Sequence, residues 1–72
     1  MAKEFDIQRN EREIVRVALS EFSGREFIDI RIFYRDEATG EYRPTKKGVT
    51  LSKDLYAELK KAVDDLGQVI SS

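Results

Sequence analysis

The sequence predicts an α+β domain in which four β-strands are followed by one C-terminal amphipathic helix. Three observations carry that expectation. Apolar and polar residues alternate over residues 14–35, the period of a partly exposed strand. Ser23-Gly24 and the polar stretch Asp36-Glu37-Ala38-Thr39-Gly40 are turn formers that divide and end the alternation. Beyond Ser52 apolar residues recur every three or four positions, the spacing of a helix face.

The elements follow in chain order. Residues 1–12 mix charge with Gln8 and Asn10 without a sustained period and are expected to form a flexible arm, leaving residues 13–72 as the domain. In the first strand, residues 14–22, Val15, Val17 and Leu19 share one face, opposite Arg16, Ser20 and Phe22. The second, residues 26–35, sets Ile28, Ile30, Ile32 and Tyr34 against Phe27, Asp29, Arg31, Phe33 and Arg35, so both faces carry bulk. A short third strand spans 41–43, where Pro44 restricts it to an edge or a break, and a fourth spans 49–51. Ser52 is the expected N-cap of a helix from Lys53 to Leu66 or beyond, with Asp54 suited to the first turn.

Composition narrows the function. Seventy-two residues build a small core that usually needs a supplement, and the absence of Cys and His removes disulfides and the usual zinc ligands. A second copy of the chain is the supplement left. The helix stripe supports it: Tyr56, Leu59, Val63, Leu66 and Ile70 exceed what one face of a small sheet requires and are the expected homodimer interface. Without a His base or Cys nucleophile an enzyme is not expected, and neither is a cofactor or a metal. The adjacent acids Asp36-Glu37 and Asp64-Asp65 are the solvated kind. No apolar run has the length of a membrane span or of a signal peptide, which implies no membrane partner and an intracellular setting, cytoplasm or nucleoid, or nucleus in a eukaryote.

Net charge is −1, with 13 Lys and Arg against 14 Asp and Glu, so overall balance gives no support to a nucleic-acid partner. Distribution does. Over residues 41–53 Arg43, Lys46, Lys47 and Lys53 face only Glu41, and a local field is what a polyanion meets. Phe22, Arg25, Arg31 and Tyr34 add aromatic faces and cations, the two groups that hold unpaired nucleic acid. By pattern alone, burial habits favour core or edge packing for such aromatics. An ordinary solvated loop likewise accounts for Arg43-Pro44-Thr45-Lys46-Lys47-Gly48.

Taken in order, Glu21-Phe22-Ser23-Gly24-Arg25, Ile28-Asp29-Ile30-Arg31 and Gly40-Glu41-Tyr42-Arg43-Pro44-Thr45-Lys46-Lys47-Gly48-Val49-Thr50-Leu51 before an amphipathic helix resemble the transcriptional coactivator family called positive cofactor four. The resemblance covers residues 13–70 and is most specific at the Lys-Lys-Gly-Val-Thr-Leu-Ser junction. It implies a curved four-stranded antiparallel sheet, a homodimer built largely by the helices, and sequence-tolerant binding of single-stranded DNA in transcription, replication or repair. It also implies base stacking at Phe22 and Tyr34, and strand contacts at Arg25, Arg31 and Lys47, with Arg43 and Lys46 at further basic positions of the family. Tyr34 stands where well-known members carry tryptophan, and the loop over residues 36–40 is one residue longer than the common form. The long Ser- and Lys-rich regulatory region of the eukaryotic coactivators has no counterpart, so a role in activated transcription is not implied. Two alternatives stay open: RNA binding, because stacking and phosphate contacts do not demand deoxyribose, and a protein-interaction module contacting the transcription or replication machinery.

Overall fold

The computed structural model describes residues 3–72. Strands β1 (Glu4–Gln8), β2 (Glu13–Phe22), β3 (Arg25–Arg35) and β4 (Tyr42–Ser52) form one antiparallel sheet in sequence order, followed by a single 3₁₀ turn (Lys53–Leu55) and helix α1 (Tyr56–Ser71). Four strands and one C-terminal helix are what the sequence predicts. Their assignment along the chain differs in two places.

Residues 4–8 are a strand, not a flexible arm; Met1 and Ala2 of that arm lie outside the described residues. Phe5 and Ile7 alternate with Glu4, Asp6 and Gln8, a period too short to stand out beside the charges that follow. Pairing supplies what the pattern lacks. Phe5 stands opposite Val17 and Ile7 opposite Val15, while Asp6 meets Arg16 across the pair. The expected third and fourth strands are one strand, β4. Pro44 does not break it, because β4 lies at the sheet edge and the missing N–H removes no ladder bond.

The Ser23-Gly24 turn has both φ values positive, 53° and 77°, the type I′ geometry whose twist matches that of the flanking strands. It fixes an unbroken register from Phe22↔Arg25 to Glu13↔Tyr34. Between β3 and β4 the register is broken. Only Ile32 separates Arg31 from Phe33, whereas residues 45–47 separate their partners Gly48 and Pro44. This bulge is held by three polar contacts: Thr45 Oγ1 donates to the Ile32 carbonyl (2.7 Å), Lys47 N donates to Thr45 Oγ1 (3.2 Å), and Arg31 Nη1 donates to the Thr45 carbonyl (2.9 Å).

Gly48 closes the bulge where no side chain fits. A Cβ there would stand 2.8 Å from the Ile30 carbonyl oxygen and 2.9 Å from Arg31 Cζ. Gly48→Ala is expected to cost about 1–3 kcal/mol through the strain of overpacking. A lower urea midpoint at unchanged slope is the check.

Alternation and register give the sheet two unlike faces. The apolar face carries Val15, Val17, Leu19, Ile28, Ile30, Ile32, Val49 and Leu51, and β1 extends it with Phe5 and Ile7. The polar face carries Arg16, Phe22, Arg25, Phe27, Asp29, Arg31 and Phe33. The core within one chain is minimal: among the described residues only Ile14 and Ile28 are buried hydrophobics. Ser52 Oγ accepts from Asp54 N and caps the 3₁₀ turn, so the cap falls where expected while α1 itself starts at Tyr56. The helix continues past Gly67 to Ser71 and buries none of its residues. It is the 3₁₀ turn that rests against β3.

Candidate nucleic-acid interface

The predicted site residues fall into two groups. Phe22 and Arg25 are directly opposite each other beside the hairpin turn, and Arg31 shares their face. Tyr34 lies near the other end of β3, opposite Arg43, on the face of Ile32. The β2–β3 ladder has no bulge, so Arg31 and Tyr34 do not share a face. Lys47 borders a shallow groove of about 240 Å³ with Val15, Ile30, Ile32 and Val49, on Tyr34's side of the sheet. The groups approach each other at the β4 bulge, which contains Lys46 and Lys47 and receives the Arg31 guanidinium.

The cations are not equally available. Arg31 is bonded to both carboxylate oxygens of Asp29 (3.1 and 3.4 Å) as well as to the Thr45 carbonyl, and its side chain is only 24% exposed. Its first role is therefore to lock the bulge. Arg43 Nε donates to Asp36 at 2.6 Å, a bond that holds the Asp36 carboxyl below and the Arg43 guanidinium above their ordinary pKa values. Arg25, Arg35, Lys46 and Lys47 have no ion pair among the described residues. With Lys3, which precedes β1, these are the charges free to meet phosphate.

Exposure separates the aromatics as well. Phe22 is 71% exposed and Tyr34 42%, against the preference of both rings for burial. Phe27 and Phe33 are half-buried on the polar face, and Arg16 lies over the Phe33 ring at 4.5 Å from its centroid. Phe22 and Tyr34 are twelve positions apart in sequence but stand at opposite ends of β3, a span of roughly 30 Å at ~3.3 Å per residue. That is the reach of an extended chain, not of a small-molecule pocket.

Two features escape a reading by motif. Arg35, in the expected second strand, is a free cation near Tyr34. Arg16 is tied to Phe33 and to β1, a relation that alternation alone does not give. The hairpin turn could have revealed the first half: a two-residue loop at 23 and 24 makes paired residue numbers sum to 47, which sets Arg16 opposite Arg31 and Ile14 opposite Phe33.

Among the described residues there is no cluster of three His, Cys, Asp or Glu able to hold a metal, and no helix is long and apolar enough to cross a membrane.

Fold and site together define a small open-sheet module with one C-terminal helix, an exposed aromatic at each end of its central hairpin, and unpaired cations along the sheet. Residues 10–62 match the family model described as Transcriptional Coactivator p15 (PC4), and the chain belongs to that family. It is similar to the RNA polymerase II transcriptional coactivator SUB1 of Saccharomyces cerevisiae, 47% identical over 57 residues that make up 79% of this chain and 18% of that protein. Among solved structures, BPSL1147, a PC4 homolog from Burkholderia pseudomallei K96243, shares the fold with a TM-score of 0.83 at 21% identity, covering 92% of this chain and 88% of that one. A MoSub1 complex with single-stranded DNA superposes with a TM-score of 0.65 at 32% identity, covering 94% of this chain and 77% of that one. The chain spans 18%, 39% and 50% of the lengths of three curated relatives that it matches.

Proposed function

We propose that the protein binds single-stranded DNA without strong sequence preference, as a homodimer and without catalysis, and so stabilises unpaired strands during transcription, replication or repair. The carrying observation is the concentration of Arg25, Lys46 and Lys47, all free of ion pairs, on the same sheet that exposes Phe22 and Tyr34, in a chain whose net charge is −1. Cations that follow phosphates and rings that receive unpaired bases are what a single strand needs. A strand that meets both residue groups passes over the β4 edge at the bulge. The solved MoSub1 complex with single-stranded DNA and the coactivator names of the relatives support the same reading, which places the protein wherever its host keeps DNA.

The dimer is supported by surface area. The accessible surface is 6076 Å², whereas a folded monomer of 8.3 kDa is expected to expose about 4,600 Å². The excess is the size of one partner's share of a substantial interface. The expected interface residues contribute to it: Tyr56, Val63, Leu66 and Ile70 are each 57–74% exposed, while Leu59 is half-buried within its own chain. The open apolar sheet face beside the helix completes the surface, and a C₂ partner covers both.

The test is a titration of fluorescent oligothymidine at two salt concentrations. Affinity should fall steeply with salt, because each neutralised phosphate releases counterions, and undetectable binding at low salt would overturn the proposal. Lys46→Ala and Lys47→Ala should each flatten the logarithmic salt slope by about 0.7, the single-strand value for one phosphate contact. An unchanged slope in both would remove the bulge from the binding path.

A further inference from the structure

The polar face carries a row of charges that the proposed interface leaves unused. Asp6 of β1, Arg16 of β2 and Arg31 of β3 stand in register across three adjacent strands, with Asp29 beside Arg31. Arg16 and Arg31 are thus like charges directly opposite each other, an arrangement that destabilises a sheet unless something neutralises it. Within the chain that is done by acids. Arg16 donates to both oxygens of Asp6 (2.9 and 3.2 Å) and lies 3.3 Å from Glu4. Both acids come from β1, a five-residue edge strand that is exposed throughout and paired only to β2.

We infer that Arg16 is a latent phosphate-binding residue and that β1 is an acidic strap which occupies it, so that Glu4 and Asp6 set the affinity of the polar face for single-stranded nucleic acid. Arg16 lies over the Phe33 ring on the face that also carries Phe22 and Arg25, and a guanidinium held there can take a phosphate in bidentate fashion once the carboxylates release it. Phosphate and the two carboxylates compete for the same N–H groups. Bound polyanion replaces the strap's charge, and without polyanion the strap neutralises Arg16 as Asp29 neutralises Arg31. The low exposure of the Arg16 side chain, 21%, measures how fully the strap and the ring cover it. Asp6 is held below its usual pKa chiefly by its hydrogen bond with Arg16, which is the same competition seen from the acid.

This inference rests on the reading of the sheet as a single-strand interface, and the experiment separates the two. Oligothymidine affinity and its salt dependence are measured for the wild type, for E4Q/D6N, and for E4Q/D6N combined with Arg16→Gln. Amides keep the backbone pairing of β1, and circular dichroism verifies the fold. The expected result is about tenfold tighter binding by E4Q/D6N at low salt, with a salt slope steeper by about 0.7, and loss of both changes when Arg16 is replaced. A gain that survives Arg16→Gln is a general charge effect and overturns the inference, as does no gain at all. Absence of binding by the wild type overturns the underlying function as well.

Discussion

Replacing Leu66 by Asp should convert the protein to a monomer that is largely unfolded at micromolar concentration. Leu66 is 57% exposed on a helix that buries nothing in its own chain, and its stripe continues through Val63 and Ile70. Covering one leucine contributes about 1.5–3 kcal/mol. A two-fold interface contains the residue twice, so the loss per dimer is about 4 kcal/mol or more, roughly a thousandfold in the dissociation constant. In the proposed dimer folding follows association, because the two buried hydrophobics among the described residues of one chain cannot hold a 72-residue domain. Sedimentation equilibrium gives the mass and circular dichroism the fold, and the wild-type melting temperature should rise with protein concentration. Lys61→Gln, on a side chain 77% exposed and paired only with Asp65, should change neither. A folded Leu66→Asp monomer would mean that the helix stripe serves some other partner.

The second large effect is expected from the exposed rings. Phe22→Ala and Tyr34→Ala should each weaken oligothymidine binding by about 1–3 kcal/mol, from about fivefold to more than a hundredfold, with the salt slope nearly unchanged. The rings stand roughly 30 Å apart along β3 and share no neighbour, so the double variant should show the sum of the two losses. Phe22 is the cleaner probe, being 71% exposed on the polar face. Tyr34 lies on the face that the proposed dimer covers in part. Its replacement therefore needs a parallel mass measurement: a change in DNA affinity at constant dimer mass assigns it to the strand, and a change in dimer mass assigns it to the subunit interface.

How far the sequence reveals this architecture differs from element to element. The central hairpin is fully legible, since alternation and Ser23-Gly24 together dictate its strands, its turn and, through the two-residue loop, its register. The helix is legible from its stripe, and Gly67 proves harmless within a helix of 16 residues. The strand at residues 4–8 is not legible: only Phe5 and Ile7 are apolar there, and their partners Val17 and Val15 lie across an intervening charged stretch. The continuity of β4 is hidden as well, because Pro44 and Gly48 mark a break in any local reading and only an edge position with a bulge reconciles them. Of the site, residue types were readable, and their availability was not. That Arg31 is spent on Asp29 and Thr45, that Arg43 is held by Asp36, and that Lys46 and Lys47 are free depends on contacts between strands. The separation of Arg31 from Tyr34, by contrast, follows from the alternation over residues 26–35, and the unbroken β2–β3 ladder keeps it.

RNA is distinguished from DNA by competition between strands of equal sequence, since nothing in the site reads the 2′ position. The central claim, that a dimer presents this sheet to a single strand, is tested most directly by sedimentation of the protein with labelled oligothymidine at low salt. The prediction is that label moves with a species of two chains, and that an equal length of duplex competes poorly. Label moving with a single chain, or not moving with the protein at all, would contradict it.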